Sequence, residues 1–124
     1  MAKGPGAAVF MLVALAGCEE ATVPADPRVV VDGDADIGRA IIAEVACGVC
    51  HTIPGIAGAD GIVGPPLAGF ARRQFIAGVV PNRPDLLVRW VRQAPALVPD
   101  TAMPEMPIGE DEARHVAAYL YTLD

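Results

Sequence analysis

Apolar, charged and Gly/Pro-rich stretches succeed one another along the chain, and helical periodicity is confined to a few of them. Residues 7–16 are one uncharged apolar run, Ala7-Ala8-Val9-Phe10-Met11-Leu12-Val13-Ala14-Leu15-Ala16, too short to span a bilayer comfortably. From 19 to 35 the pattern turns acidic. Glu19, Glu20, Asp26, Asp32 and Asp34 stand against Arg28, and Pro24 and Pro27 break regular structure. A flexible, self-repelling linker is predicted there, with Val29-Val30-Val31 too short a run to form a core. Residues 36–46 contain no Pro and open on Asp36, which suits an N-cap or a first turn; they predict a helix. A Gly/Pro-rich stretch follows, ending in Gly64-Pro65-Pro66-Leu67. After Pro84-Asp85, the segment Leu86 to Val91 reads as an amphipathic helix with Arg89 and Arg92 on its wet face. A final helix, Glu110 to Leu123, sets Ala113, Val116, Ala117 and Leu120 at i, i+3, i+4 and i+7. Its first-turn acids Glu110, Asp111 and Glu112 suit the helix dipole. His115 is off that stripe and is predicted to face solvent.

Composition sharpens the picture. A chain of 124 residues has room for one domain. One Trp, two Tyr and three Phe make a thin core, and 12 Pro with 13 Gly make a loop-rich fold. A large apolar cofactor would fill the middle. The net charge of −6 argues against nucleic acid as a partner. The N-terminus, with Lys3 ahead of its apolar run, reads as an export signal over residues 1–17. The run ends in Leu15-Ala16-Gly17-Cys18, which resembles the lipobox of bacterial lipoproteins, where the Cys is lipidated and becomes the first mature residue. The resemblance implies export, with the fold held at the periplasmic side of a membrane by lipid on Cys18. The chain then divides into a signal (1–17), a lipidated Cys with a flexible tether (18–35) and a domain (36–124).

The chemistry is announced by Cys47-Gly48-Val49-Cys50-His51, the C-x-x-C-H motif of covalent haem c. Thiols at i and i+3 lie on one side of a helical turn, where both can form thioethers with the two vinyl groups of one porphyrin. The next residue, His51, is then placed to ligate the iron. The alternatives are a structural disulfide, a thioredoxin-like pair and a partial zinc site. No βαβ pattern supports the second, and a zinc site lacks further ligands beyond Cys18 and His115.

From these landmarks the chain resembles the class I cytochrome c family over residues 36–123, in particular the haem domain at the C-terminus of some bacterial oxidase subunit II proteins. The resemblance implies an all-α fold, short helices and long Gly/Pro-rich loops around one covalent haem c. It implies that Gly38 and Ile42 let the first helix cross the last one closely, and that Tyr119 of Ala118-Tyr119-Leu120 packs near Gly38. Pro65, in Gly64-Pro65-Pro66-Leu67, would offer its carbonyl to His51. Arg73 would neighbour a haem propionate, with Arg72 competing, and Asn82 and Trp90 are further candidates for those contacts. Thr101-Ala102-Met103-Pro104 matches the family's Thr-x-Met-Pro, so Met103 would be the second axial ligand. Met106 is the rival, otherwise filling a gap in the core. Trp90-Val91-Arg92-Gln93-Ala94-Pro95 departs from the family by setting its Pro one residue late.

The implied function is electron transfer by an electron carrier that is not itself an enzyme. Its partners would be redox proteins: a terminal oxidase, a cytochrome bc-type complex or a dehydrogenase. The chain could instead be the haem subunit of a larger oxidase or dehydrogenase complex. A haem peroxidase or gas sensor needs an open sixth position, against which Met103 argues. Once the haem is assigned, too few Cys and His remain for the dinuclear copper centre of an oxidase subunit. Arg72, Arg73, Arg83, Arg89 and Arg92, opposed in sequence by Asp85, form a candidate docking patch for an acidic partner.

Overall fold

Three helices pack around one core in the computed structural model, which describes residues 1, 2, 4 and 28–124. The apolar run of the signal, Cys18 and the tether as far as residue 27 lie outside the described residues. Helix α1 spans Ala35–Glu44, α2 Pro84–Leu97 and α3 Glu110–Leu120. Among the described residues no helix is long and apolar enough to cross a membrane.

Helix α1 starts one residue before the predicted Asp36, because Asp34 is the N-cap. Its carboxylate accepts from the Asp36 and Ile37 backbone nitrogens at 2.9 and 3.0 Å. The helix also stops two residues short of Ala46, which sits in the left-handed region at φ 58°. The chain thereby reverses, as a left-handed residue just past a helix end does.

Helices α1 and α3 cross at Gly38. A Cβ there would run into the His115 carbonyl and lie 3.0 Å from the Val116 nitrogen, so only glycine permits this approach. The core draws Ile41 and Ile42 from α1, Leu87, Trp90, Val91 and Ala94 from α2, and Ala113, Val116, Ala117 and Leu120 from α3. Ile42 and Leu87 are wholly buried, worth about 1.5–3 kcal/mol each. Phe70, Ile53 and Ile76 close the core from the loops.

Three features differ from the sequence expectation. The all-α class omits a small hairpin: β1 (Phe75–Ile76) pairs antiparallel with β2 (Val80–Pro81). Ala77 and Gly78, both with positive φ, turn the chain, and the Val79 nitrogen donates to the Ile76 carbonyl. The end of the expected tether, moreover, joins the domain. Val30 packs against the core, and a Cβ on Gly33 would lie 2.9 Å from that of Ala118. The Asp34 backbone nitrogen donates to His115 Nδ1 at 2.9 Å. His115 is therefore half-buried and structural, since the segment ahead of α1 lies over it. Finally, α2 kinks at Gln93, whose φ and ψ are −139° and 52°. Pro95 then falls in the first turn of the short second piece, where its missing N–H costs nothing. The kink frees the Arg92 carbonyl to accept from the Met106 nitrogen at 2.9 Å. The late Pro is thus absorbed by tying α2 to the loop that carries both methionines.

Candidate cofactor-attachment site

The reversal at Ala46 delivers Cys47 into a 3-10 turn, Cys47–Val49, in which side chains three apart eclipse. The Cys47 carbonyl accepts from both the Cys50 and His51 nitrogens, at 3.2 and 3.1 Å. Cys47, Cys50 and His51 are thus gathered on one turn. Both cysteines are free thiols and half-buried, so the structural disulfide is not formed. Burial pushes the Cys47 thiol above its ordinary value; a backbone hydrogen bond opposes this and the neighbouring Cys50 adds to it. A raised thiol is the reverse of the activated thiolate that a dithiol oxidoreductase needs. Among the described residues no group of three His, Cys, Asp or Glu could hold a metal.

The loop after the motif folds back on it. The Gly61 nitrogen donates to the Gly48 carbonyl at 3.0 Å, Gly64 to Cys50 at 2.7 Å and Leu67 to Thr52 at 2.9 Å. Two glycines make room. A Cβ on Gly48 would lie 2.6 Å from the Ala59 Cα, and one on Gly64 would lie 2.6 and 2.8 Å from the two ring nitrogens of His51. The His51 ring rests on the Gly64 backbone, with Nδ1 2.8 Å from the Pro65 carbonyl oxygen. A carbonyl only accepts, so Nδ1 carries the proton and Nε2 presents a lone pair. The sequence signals Gly64 only through its turn chemistry and its place directly before the Pro pair.

The methionines separate. Met103 packs, partly buried, against the core, and its backbone nitrogen donates to Thr101 Oγ1 at 3.2 Å. Met106 is half-buried and does not pack against the core cluster, so it is not the gap-filler expected of it. Its backbone fastens the loop to Arg92 instead. Cys47, Leu67 and Met103 bring partly covered apolar or sulfur-bearing side chains from three separate segments to the same core.

The remaining candidates are engaged within the protein. Trp90 is a core residue. The Asn82 amide donates to the Arg73 carbonyl at 2.9 Å and the Phe70 carbonyl at 3.3 Å, while its oxygen accepts from the Tyr121 hydroxyl at 2.9 Å. Arg73 Nη2 donates to the Pro66 carbonyl and, at 3.4 Å, to that of Ala68; its guanidinium lies 5.4 Å from the Phe70 ring centre. Tyr119 is buried, and its hydroxyl leaves the helix crossing to donate to the Pro54 carbonyl at 2.6 Å, tying α3 to the loop after the motif. Three of the patch arginines have partners within the protein: Arg83 pairs with Asp85 at 2.8 Å and Arg92 with Glu110 at 3.6 Å, while Arg73 turns to backbone carbonyls.

A covalent haem fits this donor set. Two free thiols and an imidazole with Nδ1 already engaged share one turn. A glycine cradle holds the ring, and the Met103 thioether packs, partly buried, against the same core cluster as Cys47.

No family model matches the chain. Over 90 residues it is 32% identical to the cytochrome c oxidase subunit 2 of Alkalihalophilus pseudofirmus; the match covers 72% of this chain and 25% of the relative. The chain thus spans about a quarter of the length of the curated relative it matches. The crystal structure of the c-type cytochrome SorU from Sinorhizobium meliloti is similar with a TM-score of 0.51 and 25% identity, over 72% of this chain and 88% of that one. The fold is cytochrome c-like, and the likenesses support haem-based electron transfer in general terms.

Proposed function

We propose that this chain carries one covalent haem c and transfers single electrons between respiratory-chain proteins. The observation that carries the proposal is the turn Cys47–His51, with both thiols free and the His51 Nδ1 held by the Pro65 carbonyl. Cys47 and Cys50 would form the two thioethers, and His51 and Met103 would be the axial ligands. Bound haem supplies a one-electron ferric/ferrous couple. The Pro65 carbonyl fixes the His51 tautomer and raises the basicity of its free nitrogen. The Thr101 hydroxyl shapes the backbone at Met103. With His and Met both committed, no position is left for substrate, which favours a carrier over a peroxidase or gas sensor.

A second role, as the haem module of a larger oxidase or dehydrogenase complex, is supported by the similarity to one quarter of an oxidase subunit 2. We place the protein at the periplasmic membrane face, anchored through lipidated Cys18; the lipobox-like Leu15-Ala16-Gly17-Cys18 and the apolar run before it support this.

The test is expression of the full chain with a haem c maturation system, followed by intact mass and visible spectra of both redox states. One haem per chain, a low-spin reduced spectrum and an oxidised thioether–iron band are the expected results. A chain without covalent haem, or a high-spin form that binds carbon monoxide readily, would defeat the proposal.

A further inference from the structure

Pro65 and Pro66 have no backbone N–H between them, so this pair cannot fasten itself to the fold by donating. Its carbonyls must be gripped from outside. The Pro65 carbonyl accepts from His51, and the Pro66 carbonyl accepts from Arg73. Arg73 is half-buried and, among the described residues, forms no ion pair. It is held in turn: Asn82 donates to its backbone carbonyl at 2.9 Å, and the Tyr121 hydroxyl donates to the Asn82 oxygen at 2.9 Å. Tyr121 follows directly on α3, its ring centre 6.2 Å from that of Phe70. An unbroken line therefore runs from the end of α3 through Tyr121, Asn82, Arg73, Pro66 and Pro65 to His51.

We infer that Arg73 is a positioning residue for His51, acting through Pro66, and that Tyr121 and Asn82 hold it to that task. The inference rests on the proposed haem ligation and deepens it, because it gives Arg73 a role other than that of counter-charge to a propionate. The two roles move observables differently. If Arg73 fixes the Pro65 carbonyl, its loss loosens the His51 Nδ1–H bond, makes the imidazole less basic and favours ferrous iron. If Arg73 acts as a counter-charge, its loss removes a positive charge and favours ferric iron, while the Nδ1–H stays protected.

The experiment uses haem-loaded Arg73→Gln and Tyr121→Phe beside the parent, with covalent haem checked by mass. Exchange of the His51 Nδ1 proton is read by NMR in the reduced, diamagnetic state, and the midpoint potential by titration. At least tenfold faster exchange in Arg73→Gln is expected. Tyr121→Phe, which alters no charge at neutral pH, should show a smaller acceleration and a raised potential. Unchanged exchange in Arg73→Gln, with a lowered potential, would overturn the inference and restore the counter-charge role. Should Arg73→Gln fail to fold, Tyr121→Phe decides alone: unchanged exchange and potential there overturn the inference. A parent that takes up no haem would overturn the proposed function itself, whereas a haem-loaded parent with unmoved variants overturns only the positioning role.

Discussion

Gly64→Ala is the sharpest test of the cradle under His51. The new Cβ would lie 2.6 Å from Nδ1 and 2.8 Å from Nε2, and an ordinary contact begins near 3.4 Å. The ring carbon Cε1 is closer still, so the ring must retreat by more than about 0.8 Å, the difference between 3.4 Å and the 2.6 Å to Nδ1. Both nitrogens are crowded at once, so rotation about one bond does not clear the clash. A retreat of that size takes the 2.8 Å contact to Pro65 out of good hydrogen-bonding range. Overpacking costs about 1–3 kcal/mol, and the lost hydrogen bond about 0.5–1.5 kcal/mol more. A destabilisation of about 2–4 kcal/mol is expected in urea unfolding of the haem-loaded protein, with an altered Soret band. Gly58→Ala is the control. Gly58 is left-handed, at φ 73°, which Gly64 is not, and a Cβ there meets nothing within 4 Å. It should lose about 1–2 kcal/mol through backbone strain alone, with an unchanged spectrum. Equal stability losses in the two variants, and a parental spectrum in Gly64→Ala, would refute the steric reasoning.

Other expectations are simpler to check. Met103→Ala should abolish the thioether–iron charge-transfer band of the oxidised protein, and Met106→Ala should retain it; the reverse result would exchange their roles. Tyr121 is pushed up to about 12 by burial, above an ordinary value of 10. The folded protein therefore keeps that proton where the unfolded chain has lost it. Its contribution is complete below pH 10 and lost as pH rises towards 12. Because the group is partly exposed, a loss of about 1 kcal/mol is expected, and a stability-versus-pH series should show that slope vanish in Tyr121→Phe. Asp34→Ala removes the α1 cap and should cost about 1 kcal/mol in thermal or urea unfolding; an unchanged midpoint would show the cap to be idle.

What could be read from the sequence was chemistry set by short-range geometry. Two cysteines at i and i+3 followed by histidine define an attachment turn whatever surrounds them, because the spacing of the thiols is fixed within one turn. The i, i+3, i+4, i+7 stripe of α3 was legible for the same reason: Ala113, Val116, Ala117 and Leu120 are all buried. The resemblance also ordered the loops well enough to bring Pro65 and Met103 into view. What remained hidden depends on partners far apart in the chain. No local pattern says that the Tyr119 hydroxyl reaches Pro54, 65 residues away, or that Asn82 spends its amide on Phe70, Arg73 and Tyr121. Nor does periodicity show that the acidic segment ahead of α1 lies over His115, or that a late Pro95 is absorbed by a kink at Gln93. A periodic pattern records which face of an element avoids water. A buried polar group has to satisfy its hydrogen bonds with whatever the packed fold brings beside it, and that choice was made only in three dimensions.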